Sequence, residues 1–235
     1  MSDTQTIPWK RISVEAVVIV ASILLAFSID AWWDGFQQRE HLQTVLVGLD
    51  AAYSENVTLL DENIELLAKY QELLKRFIET KPNDAAQIPA ELTFDTLMSI
   101  WRPVTLPNNN SLLVTTLDSE NLALLEDPVL QDAIWRWRAQ VDTLDERTEQ
   151  LVGSEQEALF ALGHHPEVAA AWAQAASEAP RSMNGDVLLW ARKDKEIMAI
   201  AARKAFQGGV HMQTLRANRD ASSEVLNLIR TALHQ

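Results

Sequence analysis

The side chains here that could do chemistry are histidines and carboxylates, because zero Cys removes disulfides, cysteine-ligated metals and a thiol nucleophile together. Five histidines, His41, His164, His165, His211 and His234, are scattered over 235 residues. His164 and His165 are adjacent at a helix end and cannot both turn to one ligand, so capping explains them better than metal binding. Asp142, Asp145, Glu146 and Glu149 are spaced for a single helix face, which is also how a solvated bundle helix is built. No Glu-x-x-His pair accompanies them, so the di-iron carboxylate bundle fails. A Gly-rich phosphate loop, GxSxG, HExxH, a Walker sequence and an EF-hand loop are absent as well. The expectation is a non-enzymatic chain with no metal and no cofactor.

Two other carboxylates point elsewhere. Glu15 and Asp30 lie near the ends of an apolar stretch, Ile12 to Trp33, of 22 residues, which as a helix rises about 33 Å and spans a bilayer. At 100° per residue Glu15, Ser22, Ala26 and Asp30 share one side, a small and polar face suited to packing against another helix in lipid. Snorkelling of both carboxylates to the nearby interfaces is the simpler alternative. Trp9 at one end and Trp32 with Trp33 at the other form an interfacial aromatic belt. Lys10 and Arg11 precede the span and Asp34 follows it, so the positive-inside rule puts the N-terminus in the cytoplasm and the remainder outside. A cleaved signal peptide competes, since the uncharged core from Ala16 to Ile29 is short and Ala26-Phe27-Ser28 could be a cleavage site. The second Trp girdle and the direct run-on into a helical pattern favour an uncleaved anchor.

The elements that follow read as helix throughout. Seven Gly and eight Pro beside abundant Leu, Ala, Glu and Gln argue against a β-sandwich. From Leu42 a heptad puts Leu49, Asn56, Asn63, Tyr70 and Phe77 at one seam position and Tyr53, Leu60, Leu67 and Leu74 at another, a wide stripe that predicts a bundle helix ending near Glu79. Asn56 and Asn63 within it read as residues that set register or oligomer state, or as tolerated polar residues at the stripe's edge. A short helix is expected over Pro89 to Trp101, then helical fragments over Ser111 to Leu125 with a turn near Ser119. Asp127-Pro128 starts a long helix that Gly163 and Pro166 end. An Ala-rich helix from Pro166 and a last long segment from Asp186 to Leu233 complete the chain; Gly208-Gly209 either breaks that segment or marks a close helix contact. Trp135 and Trp137 point about 200° apart on their helix, which makes them candidates for partner contact beside packing in the bundle.

The net charge of −13, from 20 basic and 33 acidic side chains, disfavours nucleic acid as a partner. Charge is uneven: residues 34–163 hold 23 acidic and 9 basic groups, residues 164–235 hold 7 and 9. The basic C-terminal helix, with Arg192, Lys193, Lys195, Arg203, Lys204, Arg216 and Arg219, can therefore lie antiparallel against acidic helices.

Glu15, the run ending Leu25-Ala26-Phe27, Asp30-x-Trp32 and the block Ser119-x-x-Leu122-x-Leu124-Leu125-x-Asp127-Pro128-x-Leu130 together resemble a family of bacterial single-span membrane proteins known as a domain of unknown function. That family commonly has Asn where Asp30 stands and Gly where Glu120 stands. The resemblance implies a membrane-anchored helical protein and supplies no catalytic residues. The expected organisation is a cytoplasmic tail (1–11), a transmembrane helix (12–33) and a periplasmic helical bundle (34–235) in the bacterial inner membrane. The fold is expected to be all-α, with the anchor continuing as a rod into an antiparallel bundle. The expected partners are membrane lipid and either a second copy or another membrane protein; a periplasmic ligand-sensing bundle is the rival function.

Overall fold

The computed structural model describes residues 9–81, 90–101, 110–117, 119–175 and 185–234. Among them every regular element is an α-helix: α1 (Trp9–Glu79), α2 (Ala90–Trp101), α3 (Asn110–Thr116), α4 (Ser119–Leu124), α5 (Pro128–Gly163), α6 (Pro166–Ala175), α7 (Gly185–Lys193) and α8 (Lys195–Leu233). The chain is all-α, as composition and periodicity predict. It divides into two compact units, Met1–Gly48 and Leu49–Gln235.

In the first unit, α1 runs through Gly35 without a break, because one glycine costs a helix only about 1 kcal/mol. Ser22 Oγ donates to Val18 O at 2.8 Å and Ser28 Oγ to Leu24 O at 2.7 Å, so both hydroxyls are satisfied by their own helix. Trp32, Trp33 and Phe36 form an aromatic cluster with ring centroids 6.1 to 6.4 Å apart. The tail from residue 1 to 8 and the side chains of Trp9, Lys10, Arg11 and Glu15 lie outside the described residues.

In the second unit three long helices make the bundle. Local chemistry fixes where they begin. Asp127 accepts from Val129 N–H at 2.8 Å with Pro128 opening α5, and Asp194 accepts from the N–H groups of Glu196 and Ile197 to open α8. The expected last segment is therefore two helices, split at Asp194. Gly208 and Gly209 do not interrupt α8. A Cβ on Gly208 would meet the Gln71 amide at 1.8 Å, whereas one on Gly209 would meet nothing. Gly208 is thus the close helix contact, and the break lies fourteen residues earlier, where an N-cap aspartate competes with the helix.

Ion pairs give the directions. Arg219 meets Asp61 at 3.3 Å and Arg230 meets Asp50 at 2.7 Å, so α8 is antiparallel to α1; Arg136 meets Glu224 at 2.7 Å and Arg203 meets Glu157 at 2.5 Å, so α8 is antiparallel to α5 as well. The predicted match of basic C-terminal helix to acidic neighbours is realised by Arg203, Lys204 and Arg219, while Arg192 donates instead to the Thr80 carbonyl at the end of α1. It follows that α1 and α5 run parallel to each other. Their aromatic contact, Tyr53 to Trp137, lies at one end at 5.1 Å, and Leu74, Phe77, Ala158 and Leu162 share a cluster at the other. That cluster also takes Phe94, Leu97 and Ile100 from α2 and Val187, Leu188 and Ala191 from α7, so the short helices close this end of the bundle. A smaller apolar cluster of Leu60, Leu67, Leu144, Met212 and Leu215 sits between the ends.

Candidate functional site

Two regions concentrate features that packing alone does not require: the bare apolar stretch of α1 and a polar column inside the bundle. From Val18 onward α1 carries a window of mean hydropathy 1.5, none of it buried, which is long and apolar enough to cross a membrane. Val18, Leu24, Leu25, Phe27 and Ile29 are all more than half exposed. Water is a poor solvent for so continuous an apolar surface. Of the predicted packing face, Ser22, Ala26 and Asp30 are exposed together on this segment, and Trp32 and Trp33 are exposed at its end. The side-chain placement of Glu15 and Trp9 lies outside the described residues.

The polar column follows from heptad spacing. Buried positions of α8 alternate by four and three residues, Ile197, Ala201, Lys204, Gly208, His211, Leu215, Asn218, Ser222, Val225 and Ile229. Four of these ten rungs, Lys204, His211, Asn218 and Ser222, are polar. On α1 the matching seam brings Asn56 and Asn63, and on α5 it brings Glu155. Asn56 Nδ2 donates to Asn110 Oδ1 at 3.0 Å and to Ser222 Oγ at 3.3 Å, which pins α1, α3 and α8 in one register. Asn63 Nδ2 donates to Leu59 O of its own helix. Both asparagines are buried inside their own chain and do not reach a second copy, so the oligomer role expected of them is corrected; Asn56 bonds to other helices, whereas Asn63 bonds within its own, as a tolerated polar residue does.

Below them the column holds charge. Lys204 Nζ stands 3.9 Å from Glu155 Oε1 with both side chains about nine-tenths buried. Burial pulls the Lys204 ammonium down to about 8, against the attraction of Glu155, and pushes the Glu155 carboxyl up, against the attraction of Lys204. His211 is buried between these levels, and desolvation lowers it to about 4, so it is neutral at pH 7. Among the described residues His211 Nδ1 and both amide atoms of Asn218 have no hydrogen-bond partner. On the outer face of α5, desolvation and then the like charges of Asp142 and Glu149 raise the Asp145 carboxyl.

The other sequence candidates separate. Trp137 is 0% exposed against Tyr53, whereas Trp135 is 54% exposed under the Arg138 guanidinium at 5.3 Å. Partner contact is therefore withdrawn for Trp137, whose indole is spent in the core, while Trp135 is left on the surface. His41 and His164 are exposed, and His165 packs on Trp190 at 4.3 Å, so the histidines do not converge. Among the described residues no three His, Asp or Glu side chains are placed to hold a metal ion.

Apolar periodicity does not register Lys204, His211, Asn218 and Ser222, because it counts only apolar residues. Their signal was the seven-residue spacing of Lys204, His211, Asn218 and Val225. No family model, no curated protein and no solved structure matches the chain.

Proposed function

We propose that this chain is a membrane-anchored interaction protein of the bacterial inner membrane that acts by binding rather than catalysis. In this reading α1 crosses the bilayer once from a cytoplasmic N-terminus, and the bundle stands in the periplasm. The face with Glu15, Ser22, Ala26 and Asp30 packs against a second copy or another membrane protein.

One observation carries it: the apolar window from Val18 is entirely unburied in a chain that otherwise folds its apolar stripes inward. Ser22 and Ser28 bonding back to their own helix supports a lipid surrounding, where a hydroxyl without a partner is costly. Lys10 and Arg11 before the segment, against Asp34 after it, support the orientation. The heptad stripe from Leu49 to Phe77 is consumed by α5 and α8, so the association surface moves to the span itself.

Photo-crosslinking amino acids at Ser22 and Ala26, with Leu24 on the far side as control, test the association in intact membranes. Adducts to a second copy or to one stoichiometric partner at Ser22 and Ala26, absent at Leu24, are expected. Lipid adducts alone at all three positions would overturn it.

A further inference from the structure

A groove of about 330 Å³ opens on the bundle between α5 and α8, walled by Leu151, Phe206 and Val210. Arg147 and Arg203 flank it, and His211 and Gln207 also line it. Three features set it apart from an ordinary inter-helix cleft. None of its lining side chains is a carboxylate, in a chain with 33 acidic groups, and two are guanidiniums. Phe206 is 73% exposed, on a helix whose apolar seam faces the other way. Its interior side has unsatisfied polar atoms: His211 is 2% exposed with Nδ1 unpartnered among the described residues, and Gln207 Oε1 is likewise buried without a partner.

The two guanidiniums are held in place yet not used up. Arg147 Nη1 donates to Gln150 Oε1 at 2.8 Å and Arg203 Nη2 to Glu157 Oε2 at 2.5 Å. Each guanidinium has five N–H donors, so others remain for an anion. Neutral His211 can carry its proton on Nδ1, and the Gln207 amide turned by half a rotation offers NH₂ in place of oxygen. Donors on one side and apolar walls with an aromatic ring on the other select a ligand with the same division.

We propose that this groove binds a small amphipathic carboxylate, an apolar body of about a dozen non-hydrogen atoms bearing one carboxylate group, the size that a cavity at the small end of the ligand-site range admits. The carboxylate is held by Arg147 and Arg203 and the body lies on Phe206, Leu151 and Val210. The inference does not rest on the membrane anchor, so it stands or falls apart from that reading.

Isothermal titration of the full chain in lipid nanodiscs with 4-phenylbutyrate, after subtraction of heats from empty nanodiscs, tests it. Saturable binding at one site per chain is expected. Arg147→Gln weakens it about tenfold or more, the loss of a charge-assisted hydrogen bond. Phe206→Ser weakens it too, while Phe160→Ser, an exposed aromatic elsewhere on α5, leaves it unchanged. The uncharged 4-phenylbutyramide binds about tenfold or more weakly than the acid. Absence of saturable heat, equal binding of acid and amide, or a Kd indifferent to both Arg147→Gln and Phe206→Ser would each overturn the proposal.

Discussion

The two halves of α1 are one helix with two kinds of surface. Between Val18 and Phe36 large apolar side chains face every direction and stay exposed, whereas between Leu49 and Phe77 the buried residues recur at four and three and polar ones fill the other sides. A helix that is apolar all round needs an apolar surrounding, and one with a stripe needs neighbours along that stripe. The comparison teaches that periodicity, more than mean hydropathy, decides which solvent each half requires. The bundle half then tolerates a polar column because its stripe is wide and its partners are fixed.

The sharpest way to break this comparison within the bundle is the tryptophan pair. Trp137→Ala should cost about 3–5 kcal/mol in urea unfolding of the bundle, the usual loss for a fully buried aromatic. Trp135→Ala should stay within about 0.5 kcal/mol. Equal effects would mean that the core does not lie where the heptads put it.

Acidification tests the polar column next. An unfolded histidine takes up its proton near 6.5 and folded His211 only near 4, so between these values the unfolded chain binds more protons. Stability should therefore fall as pH drops from 6.5 to 4 and level off below, by up to about 3 kcal/mol. The difference in denaturant midpoint between the native chain and His211→Gln, followed across that window, isolates this contribution from Glu155, whose raised pKa acts in the opposite sense. A pH-independent difference would remove His211 from the interior.

The asparagines differ among themselves. Asn56→Ala should lose about 1–3 kcal/mol, because it strands the groups of Asn110 and Ser222 that it now bonds. Asn218→Leu should be neutral or stabilising by about 1 kcal/mol, since both amide atoms are buried without partners among the described residues. Gly209→Ala, which meets open space, should stabilise α8 by about 0.5–1 kcal/mol, read as a rise in thermal midpoint.

How much of this was legible in the sequence depended on how local the cause was. Asp127 capping α5 and the stop near Glu79 come from neighbouring residues, and both boundaries were readable. Asp194 carries the same capping chemistry, but an apolar pattern continues on both sides of it and masks the break, whereas of the two readings of Gly208-Gly209 the close helix contact is the one realised, at Gly208. The antiparallel match of α8 was foreshadowed by charge; the parallel course of α1 and α5 was not, because the crossover through α2 to α4 is a tertiary choice. The column of Lys204, His211 and Asn218 stayed hidden for a different reason. Buried polar residues are recognised by what faces them, and Glu155, which faces Lys204, lies on another helix 49 residues earlier in the chain.

The absence of cysteine makes the central claim, that the bare half of α1 lies in lipid with the bundle outside, directly measurable by single-cysteine labelling. Ser2→Cys, Leu25→Cys and Glu62→Cys would be expressed separately and treated with a membrane-impermeant maleimide in spheroplasts, after lysis, and after detergent. The account predicts that Glu62→Cys labels in spheroplasts, Ser2→Cys only after lysis, and Leu25→Cys only in detergent. Labelling of Leu25→Cys in intact membranes, or of Glu62→Cys only once cells are lysed, would contradict it.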